Sequence, residues 1–159
     1  MIGSTIYGAV ADDTFGHSVA SSDNGNIIAI GAPHNDDNGD GSGHVKVFEY
    51  IANVWIQKGS TLIGDEASIY SGFSLSLSSN GLTLAIGAKN KTLVGDNNSG
   101  YVVVYEFTNG NWLQKGGNFI AGEAAEDQFG WSVSLSSNGD RIAISSRGLT
   151  TIDYNISLS

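Results

Sequence analysis

The sequence predicts an all-β chain built from stacked, four-stranded antiparallel repeats, and three observations support this. Ser18–Ala32 returns as Ser74–Ala88 and again as Ser132–Ser146, each copy placing an Asn-Gly pair between two alternating runs. Separate anchors keep the same period: Gly16, Gly72 and Gly130 are spaced by 56 and 58, as are Gly8, Gly64 and Gly122, while Trp55 and Trp112 lie 57 apart. Finally, 22 glycines, 14% charged residues and no run with apolar residues at helical spacing leave only short alternating segments between glycine-rich breaks. A fixed period of this length means that one unit, unable to bury its own faces, stacks on copies of itself.

The elements follow in order. The first strand of a repeat is expected near 18–22, and in the second copy Leu75 and Leu77 share one face. Asn80-Gly81 reads as a type I′ hairpin turn, which needs positive φ at both central residues. The second strand, near 27–32, recurs as Leu82–Ala88, where Leu84 and Ile86 point one way and Ala85 and Gly87 the other. The small side invites close approach of a neighbouring sheet. The third strand, near 44–50, recurs as Tyr101–Phe107, apolar on both faces and so expected to be covered on both. The fourth, near 55–63, is opened by a tryptophan. Four antiparallel strands sandwiched on both faces in about 57 residues describe a β-propeller blade; a β-solenoid usually has shorter repeats.

Repeat phase divides one domain over 1–159 into a half strand at 1–8, blades at 9–64 and 65–122, and a partial blade at 123–159. Gly3–Gly8 aligns with Gly59–Gly64, the end of a fourth strand, whereas Leu149, Ile152, Tyr154, Ile156 and Leu158 read as the third strand of the last repeat. About three blades result. Propellers generally close with four or more, so the sequence implies further blades in a longer chain or self-association, most simply two chains completing a six-bladed ring.

Phe15-Gly16, Gly31-Ala32-Pro33 and Gly43-His44-Val45-Lys46-Val47-Phe48 occur in order in the first repeat, and the set resembles the FG-GAP repeat of integrin-alpha-like propellers. Later copies depart from it: Ser71-Gly72 replaces Phe-Gly, Gly87-Ala88-Lys89 replaces Gly-Ala-Pro, and Ser145-Ser146-Arg147 loses that motif. The resemblance implies a module for ligand binding or cell-surface adhesion, extracellular or at the cell surface. A lectin-like, carbohydrate-binding propeller is the alternative.

Seven basic against sixteen acidic residues give a net charge of −9, which repels nucleic-acid phosphates and anionic membranes. No cysteine is present, no run is long and apolar enough to span a membrane, and the N-terminus lacks the pattern of a signal peptide.

Asp36-Asp37-Asn38-Gly39-Asp40-Gly41 contains the opening half of a calcium loop, with Asp36, Asn38 and Asp40 as the candidate ligands. Positions nine and twelve of such a loop fall on His44 and Val47, so only a weak calcium site is expected, and no other cofactor. His17 beside Ser18, with Asp12 and Asp13 nearby, suggests a hydrolase triad. The repeat opposes it, because Ser18 is matched by Ser74 and Ser132 whereas His17 becomes Phe73 and Trp131. No catalytic residue is assigned, and the chain is not expected to be an enzyme. Asp12-Asp13, Asp65-Glu66 and Glu123 with Glu126-Asp127 fall in the connections between blades, where they predict one acidic edge. Trp55 and Trp112 are expected to pack one blade edge, a sugar-stacking role being the alternative.

Overall fold

A computed structural model describes residues 3–90, 98–116, 119–148 and, in backbone only, 156–157. The chain forms three antiparallel sheets and no helix among these residues. The first holds β1 (Ser18–Ser21), β2 (Ile27–Ala32), β3 (His44–Ile51), β4 (Val54–Gln57) and β5 (Leu62–Ile63). The second repeats it as β6 (Ser74–Leu77), β7 (Thr83–Ala88), β8 (Tyr101–Thr108), β9 (Asn111–Gln114) and β10 (Ile120–Ala121). The third comprises β11 (Ser132–Leu135), β12 (Arg141–Ser145) and β13 (Ile156–Ser157), paired in that order. The partial propeller read from the repeats is therefore the architecture.

Between the first two strands of each blade, side chains close the turn. In the second blade Ser78 Oγ accepts the Thr83 N–H at 2.9 Å and donates to Asn80 Oδ1 at 2.8 Å, and Asn80 Oδ1 accepts the Leu82 N–H at 2.9 Å. Ser22 with Asn24 and Ser136 with Asn138 repeat these bonds. The expected type I′ geometry is not found. Gly81 has φ +70° but Asn80 is not in the left-handed region, and the Gly81 N–H donates to Ser78 O at 2.8 Å. A turn with serine first and glycine fourth suits type I.

The fourth strand is likewise not continuous over 55–63. Its two pieces pair with opposite ends of the third strand: Gln57 faces Phe48 and Leu62 faces Val45. The break falls at Gly59, whose φ of +77° turns the backbone away and brings it against Trp112 of the next blade. Residues 3–8 align with this segment but form no strand, although Gly3 lies against Tyr50 and Trp55 as Gly59 lies against Phe107 and Trp112. Of the strand expected over 149–158, only β13 falls within the described residues, and it pairs with β12 as a third strand does.

Packing runs from blade to blade. Ile27, Ala29, Val45 and Val47 of the first sheet meet Leu77, Leu84 and Ile86 of the second in one core. Ala85, Val102 and Val104 of the second meet Val133, Ile142 and Ile144 of the third in another. Strand alternation explains this division, since Leu84 and Ala85 face opposite neighbours. Burying so many aliphatic side chains, at roughly 1.5–3 kcal/mol each, makes the interfaces the main source of stability. Polar bonds set their register: Ser18 Oγ donates to Gly72 O at 2.6 Å and Ser74 Oγ to Gly130 O at 2.7 Å.

Candidate functional site

The sheets bring one rim together, formed by the starts of the first strands, the ends of the second strands and the connections beside them. On it the three residues that follow the repeated glycines form a ladder. The His17 ring lies against Phe73 with centroids 4.9 Å apart, and Phe73 against Trp131 at 4.9 Å, the pairs tilted by 42° and 51°. Because the interfaces hold equivalent positions in line, residues 56 and 58 apart in sequence become neighbours. Their variability concealed this in the sequence, where His17 read as an unconstrained position.

Two cations join the ladder from the ends of the second strands. Lys89 Nζ lies 4.4 Å from the Phe73 ring and 5.3 Å from that of Trp131, while the Arg147 guanidinium lies 4.5 Å from Trp131. Such contacts are worth about 0.5–2 kcal/mol each. Partial burial, then the Arg147 charge, holds the Lys89 ammonium below its ordinary pKa. Neither cation forms an ion pair with a carboxylate among the described residues.

The candidate calcium ligands have other partners. Asp36 Oδ1 accepts the Gly41 N–H at 2.8 Å, Asn38 Nδ2 donates to Gly64 O at 2.9 Å, and the Asp40 carbonyl accepts the Ser68 N–H at 2.7 Å. Asp37 meets His44 Nδ1 at 3.1 Å. The loop thus folds on itself and ties to the next connection, and among the described residues no three carboxylates or histidines converge on a point that could hold a metal. The donor set does not fit a calcium cage, which takes six to eight oxygens.

The other acidic residues divide similarly. Asp13 is buried and accepts Asn35 Nδ2 at 2.9 Å, and the buried Asp127 accepts the Ala124 N–H at 2.9 Å, so both latch loops. Asp65 accepts the Tyr101 hydroxyl at 3.0 Å at a cleft of about 110 Å³ between the first two blades, lined also by Tyr105 and Phe119. Burial first, then the Asp65 charge, pushes the Tyr101 and Tyr105 phenols above their ordinary value. The suggested triad is not assembled: Ser18 gives its proton to Gly72 O, and the His17 ring rests on Phe73. Trp112 is buried with its indole N–H bonded to Lys58 O, and Trp55 packs on Tyr50 at 5.1 Å and against Gly3.

The described motifs of the first blade find a counterpart among known families. Residues 7–48 match the FG-GAP repeat. The FG-GAP match covers β1, β2 and β3 as far as Phe48, and includes Phe15-Gly16, Gly31-Ala32-Pro33 and Gly43–Phe48. No curated protein matches the chain. Among solved structures it is similar to a periplasmic gluconolactonase, PpgL, of Pseudomonas aeruginosa, with a TM-score of 0.52 and 14% identity. The likeness covers 82% of this chain and 36% of the gluconolactonase, so the chain spans little more than a third of that protein. At this identity the shared feature is the fold. It nonetheless corrects the expectation that the chain is not an enzyme: a gluconolactonase is built on this fold, so repeat architecture does not argue against catalysis.

Proposed function

We propose that the chain is a binding module of FG-GAP type that holds an anionic ligand at the rim carrying His17, Phe73 and Trp131, and that it acts outside the cytoplasm in ligand capture or adhesion. The observation that supports this is the placement of Lys89 and Arg147 about Trp131. Two of only seven basic residues meet there, without carboxylate partners among the described residues, in a chain of net charge −9. Gathering like charges is unfavourable unless something offsets it, and an anion across the pair does so. The setting outside the cytoplasm draws on the FG-GAP resemblance and on the periplasmic location of the similar gluconolactonase.

The half-buried Trp131 ring favours a second reading, in which the ligand is a carbohydrate and the ring contributes stacking. Calorimetric titration with an acidic oligosaccharide, an acidic peptide and a neutral oligosaccharide separates the two. Binding of both acidic ligands that is lost in Lys89→Ala/Arg147→Ala supports the anion reading. Equal binding of the neutral sugar supports the carbohydrate reading, and no binding of any of the three overturns both.

A further inference from the structure

The third repeat departs from the other two at a position where one sheet meets the next. Gly31 ends β2 so close to the Gly72 carbonyl that an added Cβ would overlap it, and Gly87 stands in the same relation to the Gly130 carbonyl. The third residue in this series is Ser145. Its Cβ fills the space into which a following sheet would bring its carbonyl, and close-packed interfaces give little room to shift. A second series agrees. Gly81 backs onto Ile27 and Gly139 onto Thr83, whereas the third counterpart is the exposed Arg141. Ser132, Ser134 and Ala143 are exposed beside it, so the free face of β11 and β12 carries only small or polar side chains. Polar outer faces are how repeat arrays end.

The free face of the first sheet is the opposite. Gly16 is the counterpart of Gly72 and Gly130, which are each packed against the preceding sheet, yet nothing lies within 4 Å of a Cβ placed on it. Val19 is the counterpart of Leu75 and of the buried Val133, yet it is 68% exposed. This face keeps the elements that receive a neighbour, and among the described residues Gly3 touches its Tyr50 and Trp55 but no sheet covers it.

We propose that the first sheet's free face is a docking surface for one more sheet of the FG-GAP type, with glycine at the end of its second strand and serine opening its first, and that the third sheet's free face refuses such a partner. Stacking in this chain then has a direction. The two other interfaces identify the occupant, because the same face of the second and third sheets is covered by a sheet of that description. A second copy of the native chain does not qualify, since its free face bears Ser145 and Arg141. The six-bladed ring of two chains expected from the repeat count is therefore not the assembly that these faces favour. This inference is independent of the anion site.

The test turns the chain into its own partner. Arg141→Ile/Ser145→Gly gives the third sheet the docking face of the first, and sedimentation should show the native chain at its single-chain mass of 16.6 kDa and the variant as head-to-tail oligomers. Adding Ser132→Ala to the variant should weaken association roughly fivefold, by removing the hydroxyl bond to the Gly16 carbonyl. Arg141→Ile/Ser145→Ala keeps the Cβ and should stay monomeric. Oligomers of the native or alanine-bearing chain, or a monomeric glycine variant, overturn the proposal. Gly87→Ser in the native chain tests the same contact from within: the thermal midpoint should fall by about 5 °C or more. An unchanged midpoint would show that serine is compatible with docking, and the proposal would fail.

Discussion

Trp112 donates its indole N–H to the carbonyl of Lys58 at 2.8 Å, joining the edge of the first blade to the second across 54 residues of sequence. Gly59 lies against the same ring, and Lys58 Nζ sits 4.3 Å from the Phe107 ring beside it. Replacing Trp112 by Phe keeps much of the apolar contact and leaves a carbonyl unpaired, so about 1 kcal/mol of stability should be lost. Trp112→Ala also opens a cavity and should cost about 3–5 kcal/mol. Urea denaturation of both variants measures the difference, and an unchanged stability of Trp112→Phe would show that the hydrogen bond contributes nothing.

The interblade serines supply an internal comparison. Ser18 and Ser74 each donate to a carbonyl of the next blade, while Ser132 is exposed. Ser18→Ala and Ser74→Ala should each destabilise by about 1 kcal/mol and Ser132→Ala by far less. Thermal denaturation with all three alike would contradict the role given to these bonds.

Alkaline pH should loosen the joint between the first two blades. The Tyr101 and Tyr105 phenols have pKa values raised in the fold by burial and by Asp65, so the fold binds their protons more tightly than the unfolded chain does. Their contribution is whole below about pH 10, the ordinary phenol value, and declines as pH rises above it. Tyr101→Phe should flatten that decline and lower stability near neutrality by about 1 kcal/mol through loss of the bond to Asp65. Denaturation midpoints measured from pH 7 to 11 check both effects.

Asp36 should matter without any metal. Because its carboxylate accepts the Gly41 N–H, Asp36→Ala should lower the thermal midpoint in the presence of a chelator by the equivalent of about 1 kcal/mol. Calcium at Asp36, Asn38 and Asp40 is expected to bind no tighter than the millimolar range. Calorimetry showing micromolar affinity would contradict the loop as described.

The blade was legible because its cause is local and repeated: Ser78, Asn80 and Gly81 make the turn with their own atoms, and alternation sends Leu84 and Ala85 to opposite faces. The turn type was not legible, because the side-chain bonds of Ser78 and Asn80 stabilise a four-residue loop that the Asn-Gly pair alone does not signal. The fourth strand reads as one piece because the sequence around Gly59 does not reveal that its bend serves the next blade's Trp112. The aromatic ladder escaped for another reason. Stacking needs only a flat ring at each step, so His17, Phe73 and Trp131 satisfy it while looking unrelated, and Lys89 and Arg147 joined them only once the sheets were superposed in space. Asp36 and Asn38 fit a ligand pattern in the sequence, and in the fold Asp36 also closes its own loop while Asn38 ties that loop to Gly64.

Trp112 holding Lys58 and Gly59, as Trp55 and Tyr50 meet Gly3, gives the array energetic boundaries that do not coincide with its sheet boundaries. The tail of the first repeat is anchored by its successor. A piece excised at the sheet edges would leave its last residues without their anchor, whereas one extended back to the preceding Lys-Gly segment keeps that packing intact. Loosening of the second blade should therefore free the tail of the first before the first sheet itself opens.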